Sequence, residues 1–298
     1  MTGPTPADLD AAAAVLDGVV TRTPMEYSEH LSDLLGVPVY LKLENLQRTG
    51  SFKIRGATYR LSRLTEEERA RGVVAASAGN HAQGVALAAQ KLGIRATIFM
   101  PLGVPVPKLL ATRGYGADVV LEGATVETPL RLAAEFAERT GAVLIHPFDH
   151  PDVITGQGTL GLELVDQVPD IETLLIPIGG GGLIAGVAAA VKGRAAAEGR
   201  RVRVIGVQAE NAAAYPSSLA AGMPLAVETT PTIADGIAVA RPGDETFAVI
   251  RELVDEVVTV SDDDIARALL VLLERAKQVV EPAGAVGVAA ILAGKVTA

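Results

Sequence analysis

Cysteine is absent from all 298 residues, which excludes disulfides, thiolate nucleophiles and cysteine metal sites. Positive charge is scarce as well. The 26 basic side chains face 35 acidic ones, the net charge is −9 and no basic cluster stands out, so nucleic acid and anionic membrane surfaces are poor partners. The first residues carry no basic region and the alanine run 11–14 is too short for a signal core, so a cytoplasmic protein is expected. Long apolar runs are missing too. Residues 174–191 are free of charge over 18 positions, but they contain Pro177 and four consecutive glycines, and they read as strand, loop and helix rather than as a membrane span. No low-complexity segment, long linker or short repeat interrupts the chain.

What is present is apolar material, 49% of the residues, enough for a sizeable core in two domains or one large one. Short apolar strands are expected at 73–76, 96–100, 118–121 and 143–145, alternating with helices at 81–92 and 107–113 and with one that carries Pro129 in its first turn. The second half repeats the rhythm: helices at 159–168 and 183–194, strands at 173–178, 203–208 and 257–260, and a helix starting at Ser261 and running to about Val279. Alternation of this kind implies parallel sheet with helices on both faces.

Three stretches carry chemistry. Around residues 42–56 an apolar strand at 39–43 leads through a turn at Gly50 into a helix for which Ser51 is the expected cap, placing Lys53 in the first helical turn. Unpaired amides and the positive end of the helix dipole disfavour a further positive charge there, so the amine tends to lose its proton, and a neutral amine can attack a carbonyl. A Ser-x-Lys triplet alone is more often a solvated lysine on a helix. Next, Ser77-Ala-Gly-Asn-His-Ala-Gln-Gly sits at a strand-to-helix junction, where free amides can receive a carboxylate; an ordinary capped helix is an equal alternative. Finally, Pro177-Ile-Gly-Gly-Gly-Gly-Leu lies between a strand and a helix, so converging amides and the helix dipole make a phosphate cradle. It lacks the Lys-Ser or Lys-Thr ending of a nucleoside triphosphate loop.

Together these stretches, in this order, resemble the motifs of the fold type II pyridoxal phosphate enzymes, and within that group the threonine and serine dehydratases and the serine racemases. The resemblance runs from Thr23-Pro to Glu281-Pro. It implies an α/β fold of two open, mostly parallel domains with the cofactor between them, at the strand carboxyl ends. The larger domain would comprise residues 1–69 and 150–298, and the smaller one 70–149. It implies that Lys53 holds pyridoxal 5'-phosphate and acts as the catalytic base. Gly179, Gly180, Gly181, Gly182 and Leu183 would hold the cofactor phosphate, and Asn80 would bond its phenolic oxygen. Phe52 and Gly236 would lie against its ring, and Glu281 would stand near the pyridine edge, although a solvated helix-end carboxylate is an equal reading for Glu281. Ser77, Ala78, Gly79 and His81 would bind the substrate carboxylate, with a structural role for the His81 side chain.

Ala78 distinguishes members of the group, since serine racemases place a serine there to deliver a proton, and alanine has none to give. The expected activity is therefore dehydration of L-threonine, and of L-serine, to the 2-oxoacid and ammonia. The alternatives are serine racemase, a lyase for a related amino acid such as 3-hydroxyaspartate, or, in another class, a non-catalytic nucleotide-binding module. Glu210 matches a cation ligand of serine racemases, but Pro216 stands where a second acidic ligand belongs, so no metal site is expected. A small amino acid as substrate and a homodimer or homotetramer complete the picture.

Overall fold

The computed structural model describes residues 3–125 and 127–297; Met1, Thr2, Val126 and Ala298 lie outside them. The chain divides into two compact units. One comprises Met1–Asp10, Arg22–Leu46 and Phe148–Ala298, and the other Ala11–Thr21 and Gln47–Pro147.

After α1 (Pro6–Leu16), β1 (Met25–Tyr27) pairs antiparallel with β2 (Tyr40–Lys42) around α2 (Glu29–Leu35). Ser28 caps α2 by accepting from the Leu31 amide, and Gly36 closes it at φ 71°, a left-handed conformation that favours glycine. Then come α3 (Lys53–Ser62) and α4 (Glu66–Arg71), the latter opened by a reciprocal capping box between Thr65 and Glu68. The second unit continues as β3 (Val73–Ala76), α5 (Asn80–Leu92), β4 (Ala96–Met100), α6 (Val106–Gly114), β5 (Asp118–Leu121), α7 (Glu127–Thr140) and β6 (Val143–Leu144).

These four strands form a parallel sheet in the order β5-β4-β3-β6. Strand periodicity sends alternate residues to opposite faces. Val73, Ala75 and Ile98 pack with Ile54 and Leu61 of α3 and Val85 of α5, while Val74, Ala76 and Phe99 pack with Ala133 and Phe136 of α7. Both faces are covered, as the alternating pattern predicts. Because α3 supplies part of this core, the unit takes in Gln47–Pro147 together with Ala11–Thr21, where the sequence leads to an expected small domain of 70–149.

The other unit continues through α8 (Pro151–Gln167), β7 (Thr173–Pro177), α9 (Gly182–Ala197), β8 (Arg203–Ala209), α10 (Ala214–Ala221), α11 (Asp244–Leu253), β9 (Glu256–Val260), α12 (Asp262–Arg275) and α13 (Pro282–Leu292). Its parallel sheet has the order β7-β8-β9. Helix α8 starts two turns before the expected residue 159 because its glycines are not breakers here. A methyl group on Gly158 would come within 2.9 Å of the Gly186 carbonyl oxygen in α9, and one on Gly186 would run into the Ile154 carbonyl. The glycines let two helix backbones touch. Helix α12 stops at Arg275, short of Val279, where Lys277 takes a left-handed φ of 55°. No helix among the described residues is long and apolar enough to cross a membrane.

Candidate active site

In the second unit the chain moves outward from β3 to β4 and β5, then returns to place β6 on the other side of β3. The carboxyl ends of β3 and β6 therefore flank a topological switch point, the place where open α/β sheets receive ligands. After β3 comes the Ser77–His81 stretch, and after β6 come Ile145, His146 and Pro147. Lys53 is anchored there. Its Nζ donates to the Pro147 carbonyl at 2.9 Å and lies 5.3 Å from the Phe52 ring centroid.

The turn before Lys53 differs from the expected one. Residues 48–50 form a tight 3-10 turn in which Thr49 and Gly50 both adopt left-handed φ, 68° and 71°. Ser51 is consequently extended, Phe52 takes the N-cap position without a side-chain cap bond, and α3 begins at Lys53 itself. Ser51 Oγ still accepts from the Lys53 amide, at a long 3.4 Å. A β-branched threonine with positive φ is strained backbone, and such strain concentrates at functional sites. The buried Gln47 holds the turn from behind, its side chain bonding both the amide and the carbonyl of Thr21 at 2.8 and 2.7 Å.

Burial lowers the Lys53 pKa from 10.5 to about 8, because the charged ammonium loses its hydration. The amine is thus substantially neutral just above physiological pH. Borohydride trapping of an aldehyde on the apoprotein is expected to rise with pH around a midpoint near 8. A midpoint near the ordinary lysine value would contradict this placement.

The Ser77–His81 stretch is built for an anion. Ser77 Oγ accepts from the Gly79 amide at 3.1 Å, Gly79 is the N-cap of α5 without a side-chain cap, and Asn80 opens the helix. The positive helix end and its uncapped amides face a carboxylate best. Ala78 and Asn80 are half-buried in the same turn. His81, in contrast, turns its ring into the interior, where Nε2 donates to the Ile145 carbonyl at 2.8 Å. Burial, then the neighbouring Lys53 charge, lowers its pKa to about 3, so the ring is neutral and braces β6 against α5. Two residues missed in the sequence belong here. A methyl on Gly79 would stand 3.8 Å from Lys108 Nζ, which places an ammonium beside the loop; a methyl on Gly84 would stand 3.0 Å from the Lys53 carbonyl carbon. Gly84 is the last residue of the Ser77 motif, and it lets α5 lie directly on the Lys53 backbone.

In the other unit, β7 leads into the tetraglycine loop. Gly181 is the N-cap of α9 at φ 98°, again without a capping side chain, and Gly182 and Leu183 begin the helix. Side chains at 180 and 181 are excluded by neighbours, and at 179 and 182 they would fit only tightly. A methyl on Gly179 would stand 3.0 Å from the Ile237 Cα, and one on Gly182 3.0 Å from the Phe148 Cβ, while methyls on Gly180 and Gly181 would overlap the Phe148 ring and the Tyr215 hydroxyl. Gly236 lies in the adjacent 3-10 turn Asp235–Ile237, against Ala283 at 3.1 Å by the same measure, and Glu281 is the N-cap of α13 two residues before Ala283. Loop, Gly236 and Glu281 thus gather at one place. Glu210 lies apart, in a groove with Pro216 and Lys295.

A model of the pyridoxal-phosphate dependent enzyme family matches residues 16–297. The chain belongs to this family. It is 54% identical over 285 residues to an L-threonine ammonia-lyase of Thermotoga maritima, covering 96% of this chain and 70% of that relative. Over 288 residues it is 46% identical to the catabolic L-threonine dehydratase of Escherichia coli strain K12, covering 97% of this chain and 86% of the relative. The solved structure of maize serine racemase aligns with a TM-score of 0.92 at 39% identity, covering 98% of this chain and 87% of that one. As a pyridoxal-phosphate dependent enzyme the chain uses pyridoxal phosphate, and its donor set fits that group. Lys53 offers a desolvated amine for the aldehyde, and the uncapped glycine start of α9 offers converging amides for the phosphate.

Proposed function

We propose that the protein is an L-threonine ammonia-lyase that also accepts L-serine, converting them to 2-oxobutanoate or pyruvate and ammonia. The observation that carries this reading is Lys53, whose amine is lowered to about 8 by burial and placed at a sheet switch point beside an anion-receiving loop. The relatives named above, a threonine ammonia-lyase and a threonine dehydratase, support the choice of substrate.

Lys53 would hold the cofactor through its amine and, once displaced by the substrate amine, would take the proton from Cα. Pyridoxal phosphate, when bound, supplies the ring that accepts the electrons left at that carbon. Ser77, Gly79 and the amide-rich start of α5 receive the carboxylate, and Lys108 adds positive charge beside them. By the family resemblance, Asn80 would bond the cofactor's phenolic oxygen, Phe52 and Gly236 would pack against its ring, Gly179 to Leu183 would hold the phosphate, and Glu281 would stand near the pyridine edge. The β-hydroxyl would leave protonated, so that it and the Cα proton are lost together as water, and hydrolysis of the released enamine would yield the oxoacid and ammonia. His81 acts through its brace to Ile145.

Maize serine racemase favours a second reading within the same fold. Ala78 opposes it, since a methyl side chain has no proton to deliver to the far face of Cα. Incubating the purified protein with L-threonine or L-serine separates the two. Oxoacid and ammonia without D-serine support the lyase, D-serine as the main product supports the racemase, and neither product overturns both. An oligomer in the cytoplasm belongs to this reading. Leu34, Leu270, Leu273 and Val279 are exposed by 55%, 58%, 51% and 80%, apolar surface that a second copy would cover.

A further inference from the structure

The glycine loop is held from behind by two side chains distant in sequence. The Gly180 carbonyl accepts from Tyr215 Oη at 3.1 Å and from Thr246 Oγ1 at 2.7 Å. Both residues are fully buried, and the two hydroxyls lie 3.3 Å apart. Each is fixed in turn. Asp149 accepts from the amides of Asp244 and Thr246 at 2.9 and 3.1 Å, and the Tyr215 amide donates to Gln208 Oε1 at 3.0 Å. Burial pushes the Tyr215 pKa upward, so the phenol keeps its proton and remains a donor.

In a planar trans peptide the carbonyl and the following N–H point in opposite directions. Holding the Gly180 oxygen toward Tyr215 and Thr246 therefore aims the Gly181 N–H the other way. Gly181 is the N-cap of α9, so this N–H lies beside the first-turn amides of Gly182 and Leu183, which have no intrahelical acceptor. With φ at 98° and no side chain to shield it, the Gly180–Gly181 peptide is easily turned over, and a flipped peptide would present a carbonyl oxygen to an anion.

We propose that Tyr215 and Thr246 are positioning residues for phosphate: they lock the Gly180–Gly181 peptide so that its amide joins the α9 amides in the phosphate cradle. This rests on the assignment of the loop to the cofactor phosphate. It separates the phosphate from the rest of the cofactor, because nothing in the lock bears on the aldehyde or the ring.

The test measures dissociation constants of pyridoxal phosphate and of phosphate-free pyridoxal on the apoprotein of wild type, Tyr215→Phe, Thr246→Val and Thr246→Ser. Wild type should bind pyridoxal phosphate far more tightly than pyridoxal. Each lost hydroxyl should weaken pyridoxal phosphate about three- to tenfold, the weight of one hydrogen bond, and leave pyridoxal unchanged. Thr246→Ser, which keeps the hydroxyl, should retain wild-type affinity. Equal weakening of both ligands, or weakening of neither, would overturn the proposal while leaving the cradle in place. A wild type that binds both ligands equally would remove the cradle and the lock together. Tyr215→Phe keeps the ring that fills the core and removes only the oxygen, so it decides the matter if Thr246→Val does not fold.

Discussion

Lys53→Ala is expected to lower turnover of L-threonine by about 10⁴-fold or more, since on the proposed reading it would remove the cofactor's attachment point and the proton acceptor at once. The measurement is 2-oxobutanoate formation, read beside the visible absorbance of the lysine-bound cofactor, which should vanish. The fold should survive. Helix α3 keeps Ile54, Ala57 and Leu61 in the core, and alanine is the best helix former for the position. The bond lost is the one from Nζ to the Pro147 carbonyl, whose amine is desolvated in any case. An unchanged rate of oxoacid production with an intact melting curve would remove Lys53 from the mechanism.

Gly186→Val is expected to act on stability instead. At this position a first side-chain carbon already overlaps the Ile154 carbonyl and stands 3.0 Å from the Gly158 Cα on the facing helix. These are backbone atoms, which cannot step aside as a flexible side-chain end would, so α8 and α9 must separate. Overpacking of this kind costs about 3 kcal/mol or more, and the melting temperature should fall by roughly 5–10 °C. Both helices pack in the core on which the tetraglycine loop rests, so cofactor retention should fall with it. Gly193→Ala, on the same helix with open space around it, is the control that should leave cofactor retention unchanged and lower the melting temperature not at all, raising it slightly if anything. A Gly186→Val protein that melts with wild type would mean that the two backbones are not in contact.

Much of this was legible in residue order. The strands at 73–76, 96–100 and 118–121 coincide with β3, β4 and β5, because central parallel strands are short apolar runs bounded by turn residues. The capping box at Thr65 and the start at Ser261 were readable for the same local reason. The start of α8 was not, because glycine in a helix signals breakage to any local rule, whereas here it permits backbone contact. The strand expected at 39–43 coincides with β2, whereas its partner β1 has three residues, too few for periodicity to speak. Ser51 does accept from the Lys53 amide, but only at a long 3.4 Å, and the left-handed turn at Thr49 before it is one that nothing in a threonine announces. Lys108, Tyr215 and Thr246 lay outside every motif. Only folding brings them to Gly79 and Gly180, so no spacing could have named them.

The contact between Gly84 and the backbone of Lys53 has a consequence for selectivity. The Lys53 amine and the loop proposed to receive the carboxylate belong to two helices pressed together main chain to main chain, with Gly84 admitting no spacer between them. Their separation works as a fixed gauge. On the proposed reading, a substrate held by its carboxylate on the loop would bring its Cα to the Lys53 amine, and an extra methylene between its amine and carboxylate is expected to carry that carbon out of reach. The protein should then tolerate variety in what hangs from the β-carbon far more readily than any lengthening of the amino-acid frame itself.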